Sequence, residues 1–339
     1  MSLKLAIAGL GYFSRFHQDA WSRCPDVQVV AIADADQKRR EEALRLFPEA
    51  QAFSDVKRML DQVRPDLVDI VTPPDTHLQF VDAAARRGIA AICQKPIAPD
   101  WSNAVSVVEV AEEHGTLLAI HENFRWMPWF REAKKLVDDG YIGVPLNISF
   151  RLRPGDGQGP NAYLSRQPYF QQMKRFLIHE TAIHLIDVFR FIMGEITGVF
   201  ARLKRFNPVI SGEDAGLVIF EFSSGASGLF DGNRLVDHPA NDTRMTNGVM
   251  ILEGTEGTIR LDGFGRLFLK KPGSDEIEHY YHWENRGYGG DCVFNQIRHI
   301  VEHILKGAPL VNDGRSYLRN FAIEEAIYAS NQEARFISV

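Results

Sequence analysis

The chain begins with an apolar run, a glycine turn and a helical pattern: Leu3-Lys-Leu-Ala-Ile-Ala-Gly9-Leu-Gly11-Tyr12-Phe13-Ser14. A second apolar run, Val27–Ala33, ends in Asp34. Strand, glycine turn, helix and a following acidic residue form the signature of a dinucleotide-binding crossover. Gly9 allows the tight turn, and Gly11 lets the backbone approach a pyrophosphate seated on the helix N-terminus, where Tyr12, Phe13 and Ser14 follow. Ser14 stands at the third glycine position, the one departure from the pattern. Asp34 lies about 20 residues further on, where a carboxylate accepts hydrogen bonds from an adenosine ribose. A carboxylate there favours NAD by repelling the extra phosphate of NADP. Lys38, Arg39 and Arg40 follow closely. They read most simply as a solvated helix face, and they keep NADP open.

Bulk properties narrow the class. A chain of 339 residues with 45% hydrophobic and 24% charged residues is ordinary for a globular protein of two domains or one large one. A formal charge of −6 argues against broad nucleic-acid binding. No apolar run reaches membrane-spanning length, and the N-terminus enters a strand directly, without a secretory leader. Three scattered cysteines, Cys24, Cys93 and Cys292, lack metal-site spacing and suit a reducing compartment. These features predict a soluble, cytoplasmic protein.

Up to about residue 122, apolar strands alternate with helical patterns: Leu3–Ala8, Val27–Ala33, Leu67–Val71, Ala90–Cys93 and Leu117–Ile120. Near-continuous apolar runs suit a parallel sheet covered on both faces. Asp36 and Asp75 are good N-cap types, and Gly88 and Gly115 sit just past helix ends. Beyond residue 123 the pattern changes. A helix at Trp129–Asp138 and a strand at Pro145–Arg153 precede a Gly/Pro/Gln-rich stretch, Pro154–Gln172, which reads as a long functional or mobile loop. An apolar helix follows at Phe176–Met193, then strands at Leu217–Phe222, Ser227–Asp231, Met250–Glu253, Thr258–Leu261 and Arg266–Lys270, and two closing helices. The expected fold is α/β. A doubly wound parallel sheet occupies residues 1–122, and an α+β domain with an open, mostly antiparallel sheet occupies residues 123–339. The closing helices have the option of packing back on the first domain.

Three further segments carry chemistry. Thr72-Pro73-Pro74 ends a strand on the side where open parallel sheets bind ligands, although a proline-initiated helix with a capping role is the simpler reading of this segment taken alone. His77 either points into that crevice or lies on the helix surface. Cys93-Gln94-Lys95-Pro96 also ends a strand. A lysine there donates to a substrate oxygen, and partial burial makes it an acid or base; the plain alternative is a surface lysine. Pro96 holds the backbone, with a cis peptide as one option. In Leu177-Ile-His179-Glu180-Thr-Ala-Ile-His184-Leu-Ile-Asp187, Glu180 and His184 share a helix face in an otherwise apolar segment. A histidine one turn from a carboxylate is an acid–base unit. A satisfied core histidine is the alternative, and the absence of an HExxH arrangement argues against a metal.

These motifs, in this order, together with Glu122-Asn123-Phe124-Arg125 and the closing Glu324-Glu-Ala-Ile-Tyr328-Ala-Ser330 helix, resemble the glucose–fructose oxidoreductase/inositol dehydrogenase/rhizopine-catabolism (Gfo/Idh/MocA) family over almost the whole chain. The resemblance implies hydride transfer between a nicotinamide cofactor and a sugar, cyclitol or related polyol. It implies Lys95 from the Glu-Lys-Pro motif as a catalytic residue, His184 as acid–base residue, Glu180 where many members carry aspartate, and Asn123 touching the cofactor. It further implies dimers or tetramers joined through second-domain sheets. Two positions depart from the family: Gln94 replaces the glutamate before the lysine, removing a charge that tunes it, and Glu180 is one methylene longer than aspartate.

The sequence therefore predicts an NAD(P)-dependent dehydrogenase with Lys95, His184 and Glu180 catalytic. The cofactor side comprises Gly9, Gly11, Tyr12, Phe13, Ser14, Asp34, Thr72, Pro73, Pro74, His77, Gln94, Lys95 and Asn123. Tyr163, Tyr169 and Arg175 join Glu180 and His184 on the substrate. A non-catalytic cofactor sensor and a glycosidase using NAD for transient oxidation are the competing readings.

Overall fold

The computed structural model describes residues 2–339, which form two compact units. The first contains the chain up to Asn123 and Val293–Phe321; the second contains Phe124–Cys292 and Ala322–Val339.

In the first unit the alternation predicted from sequence is realised as β1 (Leu3–Ala8), α1 (Ser14–Ser22), β2 (Val27–Ala33), α2 (Gln37–Leu46), β3 (Gln51–Phe53), α3 (Val56–Val63), β4 (Leu67–Ile70), α4 (His77–Ala85), β5 (Ala90–Gln94), α5 (Trp101–Glu113) and β6 (Leu118–His121). The six strands form one parallel sheet in the order β3-β2-β1-β4-β5-β6. Every residue of β4 and β6 is buried, as a sheet covered on both faces requires. Asp36, Asp55 and Asp100 start α2, α3 and α5 by accepting the backbone N–H of Lys38, Arg58 and Asn103. Asp75 does no such capping; a single 3₁₀ turn, Pro74–Thr76, intervenes before α4. The edge strand β3 was not foreseen, because three residues are too few to show a period. The sheet order reverses at β1 and β4, so the ligand-binding crevice of this unit lies beyond their carboxyl ends.

The second unit holds α6 (Pro128–Asp138), β7 (Pro145–Leu152), α7 (Ile183–Met193), β8 (Ile196–Lys204), β9 (Ala215–Phe222), β10 (Ser227–Asn233), the short α8 (Thr243–Thr246), β11 (Gly248–Gly254), β12 (Gly257–Leu261), β13 (Leu267–Lys270) and β14 (Ile277–His279). Helix α9 (Cys292–Lys306) belongs almost wholly to the first unit, α10 (Gly314–Glu333) runs from the first into the second, and β15 (Ile337–Ser338) closes the chain. Nine strands form one sheet in the order β14-β13-β12-β11-β7-β10-β9-β8-β15, antiparallel throughout except for β7 with β10. A hairpin through Ser223-Ser224-Gly225 joins β9 to β10, with Gly225 at φ +84°. Strand β8 escaped the sequence reading; an irregularity between Ile196 and Gly198 breaks the alternation that would have marked it.

Two second-unit segments differ in kind from expectation. The apolar helix predicted over Phe176–Met193 is a π-helix at Leu177–Ala182 that passes into α7. The Gly/Pro/Gln-rich stretch is compact, packed by its own aromatic side chains: Ala162, Tyr163, Phe170, Phe176 and Ile210 make one buried cluster.

Candidate active site

The glycine turn of the first unit is built to hold a dinucleotide. Gly9 has φ +93°, and a Cβ there would lie 2.6 Å from the Val71 carbonyl oxygen, so only glycine is accommodated. A Cβ on Gly11 would meet nothing nearer than Arg39 Nη1 at 4.0 Å, which leaves open space above the turn at the start of α1. Ser14 fills the third glycine position without obstruction: it is buried, and its hydroxyl donates to the Gly11 carbonyl at 2.7 Å. Asp34 Oδ2 accepts the Leu10 N–H at 2.7 Å, so this carboxylate braces the turn. These residues fit a nicotinamide dinucleotide, with the pyrophosphate on Gly11 and α1 and the ribose on Asp34.

The basic run after Asp34 is more than a solvated face. Arg39 Nη1 sits 3.7 Å from Asp34 Oδ2, and Arg40 Nη1 donates to the Asp34 and Ala35 carbonyls at 2.6 and 3.0 Å.

Thr72 lies at the end of β4, its hydroxyl bonded to that of Thr76 at 2.7 Å, with Pro73 and Pro74 leading into α4. His77 faces neither the crevice nor the surface. It is fully buried, Nδ1 3.0 Å from the Ile97 carbonyl and Nε2 2.8 Å from the Thr72 carbonyl. Burial pushes its imidazole below the usual value, against the opposite pull of those carbonyls. This corrects its assignment to the cofactor: it braces two strand ends. Gln94 is likewise spent below the surface. Its Oε1 accepts the Lys95 N–H at 2.7 Å, and its Nε2 faces His17 Nε2 at 3.0 Å. Lys95 itself is half-buried at the carboxyl end of β5, before a cis Lys95–Pro96 bond, and Asn123 is buried just after β6.

In the second unit, the π-helix is anchored by Glu213, whose Oε1 accepts the N–H groups of Phe176 and Ile178 at 3.1 Å and the Tyr328 hydroxyl at 2.6 Å. A carboxylate at a helix start meets its orphan donors and its dipole together. Burial raises the Glu213 carboxyl, opposed by those donors. From this anchor the segment presents Glu180, half-buried, and His184, buried with its ring flat against Phe124 at 3.9 Å. Asp187, one turn beyond His184, is buried. It takes a bidentate contact from Arg125 (2.6 and 2.5 Å) and so fixes the turn that supplies Phe124. His179, beside Glu180 in sequence, is buried and paired with Glu324 at 2.8 Å. Among the described residues no group of three or more His, Cys, Asp or Glu side chains is placed to hold a metal ion.

The substrate contacts proposed from the long segment divide. Tyr169 is half-exposed, and the Glu180 charge contributes, after burial, to raising its hydroxyl pKa. Tyr163 is a correction: its ring packs on Phe170 and Phe176, and its hydroxyl donates to Asp156 at 3.1 Å. Arg175, about one third exposed, is ion-paired to Glu325 and stacked over Tyr328. The residue that sequence reasoning missed is Arg234. Buried, it bonds Asp156 and the Thr181 hydroxyl and lies over the rings of Tyr163, Phe170 and Phe176. A lone arginine in a strand-to-loop junction carries no pattern that would have revealed it.

Comparison with known proteins agrees with this geometry. Residues 3–122 match the model of the GFO/IDH/MocA oxidoreductase family with an NAD-binding Rossmann fold, and residues 130–260 match the GFO/IDH/MocA C-terminal domain. A D-apiose dehydrogenase of Paraburkholderia graminis is 31% identical over 99% of this chain and 89% of its own. An inositol 2-dehydrogenase of Rhizobium meliloti is 26% identical over the full length of both. The crystal structure of an Agrobacterium radiobacter oxidoreductase in complex with NAD+, L-tartaric acid and magnesium is 30% identical, with a TM-score of 0.89 over 100% of this chain and 98% of that one. The chain belongs to the Gfo/Idh/MocA oxidoreductase family and is an NAD-binding dehydrogenase.

Proposed function

We propose that this enzyme oxidises a secondary hydroxyl of a sugar or cyclitol, with Lys95 and His184 as its catalytic residues. The observation that carries this reading is a lysine at the carboxyl end of β5, in the same parallel sheet whose β1 end forms the glycine turn. Relatives named for D-apiose and inositol support the substrate class. NAD, when bound, supplies the hydride acceptor. The Lys95 ammonium donates to the reacting oxygen and stabilises the charge that develops there. His184, neutral, takes the hydroxyl proton, and the flat contact with Phe124 holds its ring plane. Glu180 and Tyr169 bind further substrate hydroxyls. Two copies of the chain pair through the open sheet of the second unit, and the enzyme works in the cytoplasm. No helix among the described residues is long and apolar enough to cross a membrane.

The test is a screen of sugars and cyclitols for NADH production, followed by Lys95→Ala and His184→Ala on the best substrate. Each variant should lower kcat by about 10²-fold or more while NAD binding, followed by fluorescence titration, stays within about twofold. Turnover unchanged in Lys95→Ala would remove the lysine from the mechanism. Tight NAD binding with no turnover of any polyol would favour a sensor.

A further inference from the structure

Strand β4, Leu67-Val68-Asp69-Ile70, carries an acid in a run that is buried throughout. A carboxylate so placed needs donors, because an isolated buried charge is costly. Asp69 Oδ2 has two: the Trp21 Nε1–H at 2.6 Å and His17 Nδ1 at 2.8 Å, both from α1. The far nitrogen of His17, Nε2, lies 3.0 Å from Gln94 Nε2, and Gln94 Oε1 receives the Lys95 N–H at 2.7 Å.

Proton placement along this chain follows from donor and acceptor chemistry alone. The Lys95 N–H can only donate, so the amide oxygen of Gln94 must face it. The amide nitrogen therefore faces His17, and it too can only donate. His17 Nε2 must accept, and its ring proton sits on Nδ1, aimed at Asp69. A flipped amide would set two donors against each other at Lys95.

We infer that Asp69, His17 and Gln94 form a buried positioning chain that holds the Lys95 peptide, and that the amide at position 94 keeps His17 as the neutral Nδ1–H tautomer. Its value for catalysis rests on the reading of Lys95 given above. A glutamate at position 94 would offer two acceptors and call for a proton on His17 Nε2. The imidazolium would then stand between two carboxylates. Glutamate with a protonated histidine and glutamine with a neutral one carry the same net charge. Gln94 thus removes a charge below the lysine together with a proton, not a charge alone. His17 also meets the His121 ring of β6, 4.1 Å away, and Phe13 of α1, and the Cys93 thiol beside Gln94 is buried and raised by burial and by Asp69.

The full-length protein, labelled with ¹⁵N-histidine, provides the test, with His17→Asn identifying the His17 signal. The wild type should show one protonated ring nitrogen, Nδ1, and one bare nitrogen across about pH 6 to 8. A doubly protonated His17, or a proton on Nε2, overturns the inference on the wild type alone. Gln94→Glu should show both nitrogens protonated at the acid end of that range and add an alkaline limb to kcat against pH. Gln94→Ala should lower kcat between about tenfold and a hundredfold with little change in KM, and Gln94→Glu should recover most of that loss below the new limb. An unchanged pH profile and an unchanged His17 in Gln94→Glu would also refute it. Full turnover in Lys95→Ala would instead refute the lysine's role and leave the tautomer standing.

Discussion

In the proposed cofactor site, Asp34 serves structure and selectivity at once. Its Oδ2 accepts the Leu10 N–H and its Oδ1 accepts the Asp36 N–H at 2.8 Å, so it closes the glycine turn and the β2 end before any ribose arrives. Asp34→Ala should therefore weaken both NAD and NADP through the loosened turn. NAD loses in addition the ribose bonds, of about 1.5–3 kcal/mol to a charged acceptor, whereas NADP is relieved of a repulsion. The ratio of NAD to NADP affinity, measured by titration, should fall at least tenfold. Equal loss of both cofactors would exclude the ribose contact. Arg39, 3.7 Å from this carboxylate and closest to Gly11, should then gain influence on NADP.

At the scale of the element, the segment from Pro154 to Arg175 shows what composition conceals. Its glycines, prolines and glutamines read as an open loop. Three aromatic rings and one buried guanidinium make it a compact support beneath the π-helix. Burial alone would raise the Asp156 carboxyl, but the guanidinium groups of Arg234 and Arg166 outweigh it and hold the group below the usual carboxylate range. A depressed carboxyl stabilises the fold fully above its unfolded pKa, near pH 4. That contribution is lost as pH falls through the folded value. Asp156→Asn should leave Arg234 with an uncompensated charge and cost about 3–5 kcal/mol at neutral pH. In urea unfolding followed against pH, the variant should also show a flatter acid limb. A variant of wild-type stability with an unaltered acid limb would show that the ion pairs carry no weight.

Across the whole molecule, the nine-stranded sheet leaves one face with apolar side chains outward. Ile219, Leu229, Ser149 and Ile251 stand side by side on β9, β10, β7 and β11 in one registered row. Ile219, Leu229 and Ile251 are 46%, 41% and 39% exposed, and Leu217 on the next row is 51% exposed. A contiguous apolar patch on a sheet marks an interaction surface, and a second copy presents the matching patch. If the proposed pairing uses this face, Ile219→Lys with Leu229→Lys should give monomers in sedimentation equilibrium where the wild type gives a dimer or larger, and leave the thermal midpoint of the monomer within a few degrees. An unchanged mass would assign the association to another face.

What could be read from the chain alone was periodic or local. Apolar runs separated by caps and glycines predict the parallel sheet, because burial of both strand faces leaves a mark on every residue. The Gly9 turn and Asp34 are legible because their spacing reflects backbone geometry within one crossover. Lys95 and His184 stand out as polar residues at a strand end and in an apolar helix. Tertiary structure alone decided the partners of these groups, since each pairing joins residues distant in sequence: Gln94 to His17, His17 to Asp69, Arg125 to Asp187, Arg234 to Asp156. Hydrogen-bond satisfaction of a buried group is a property of the packed neighbourhood. For that reason Tyr163, Arg175 and His77 looked available for ligands, and the fold had already engaged them.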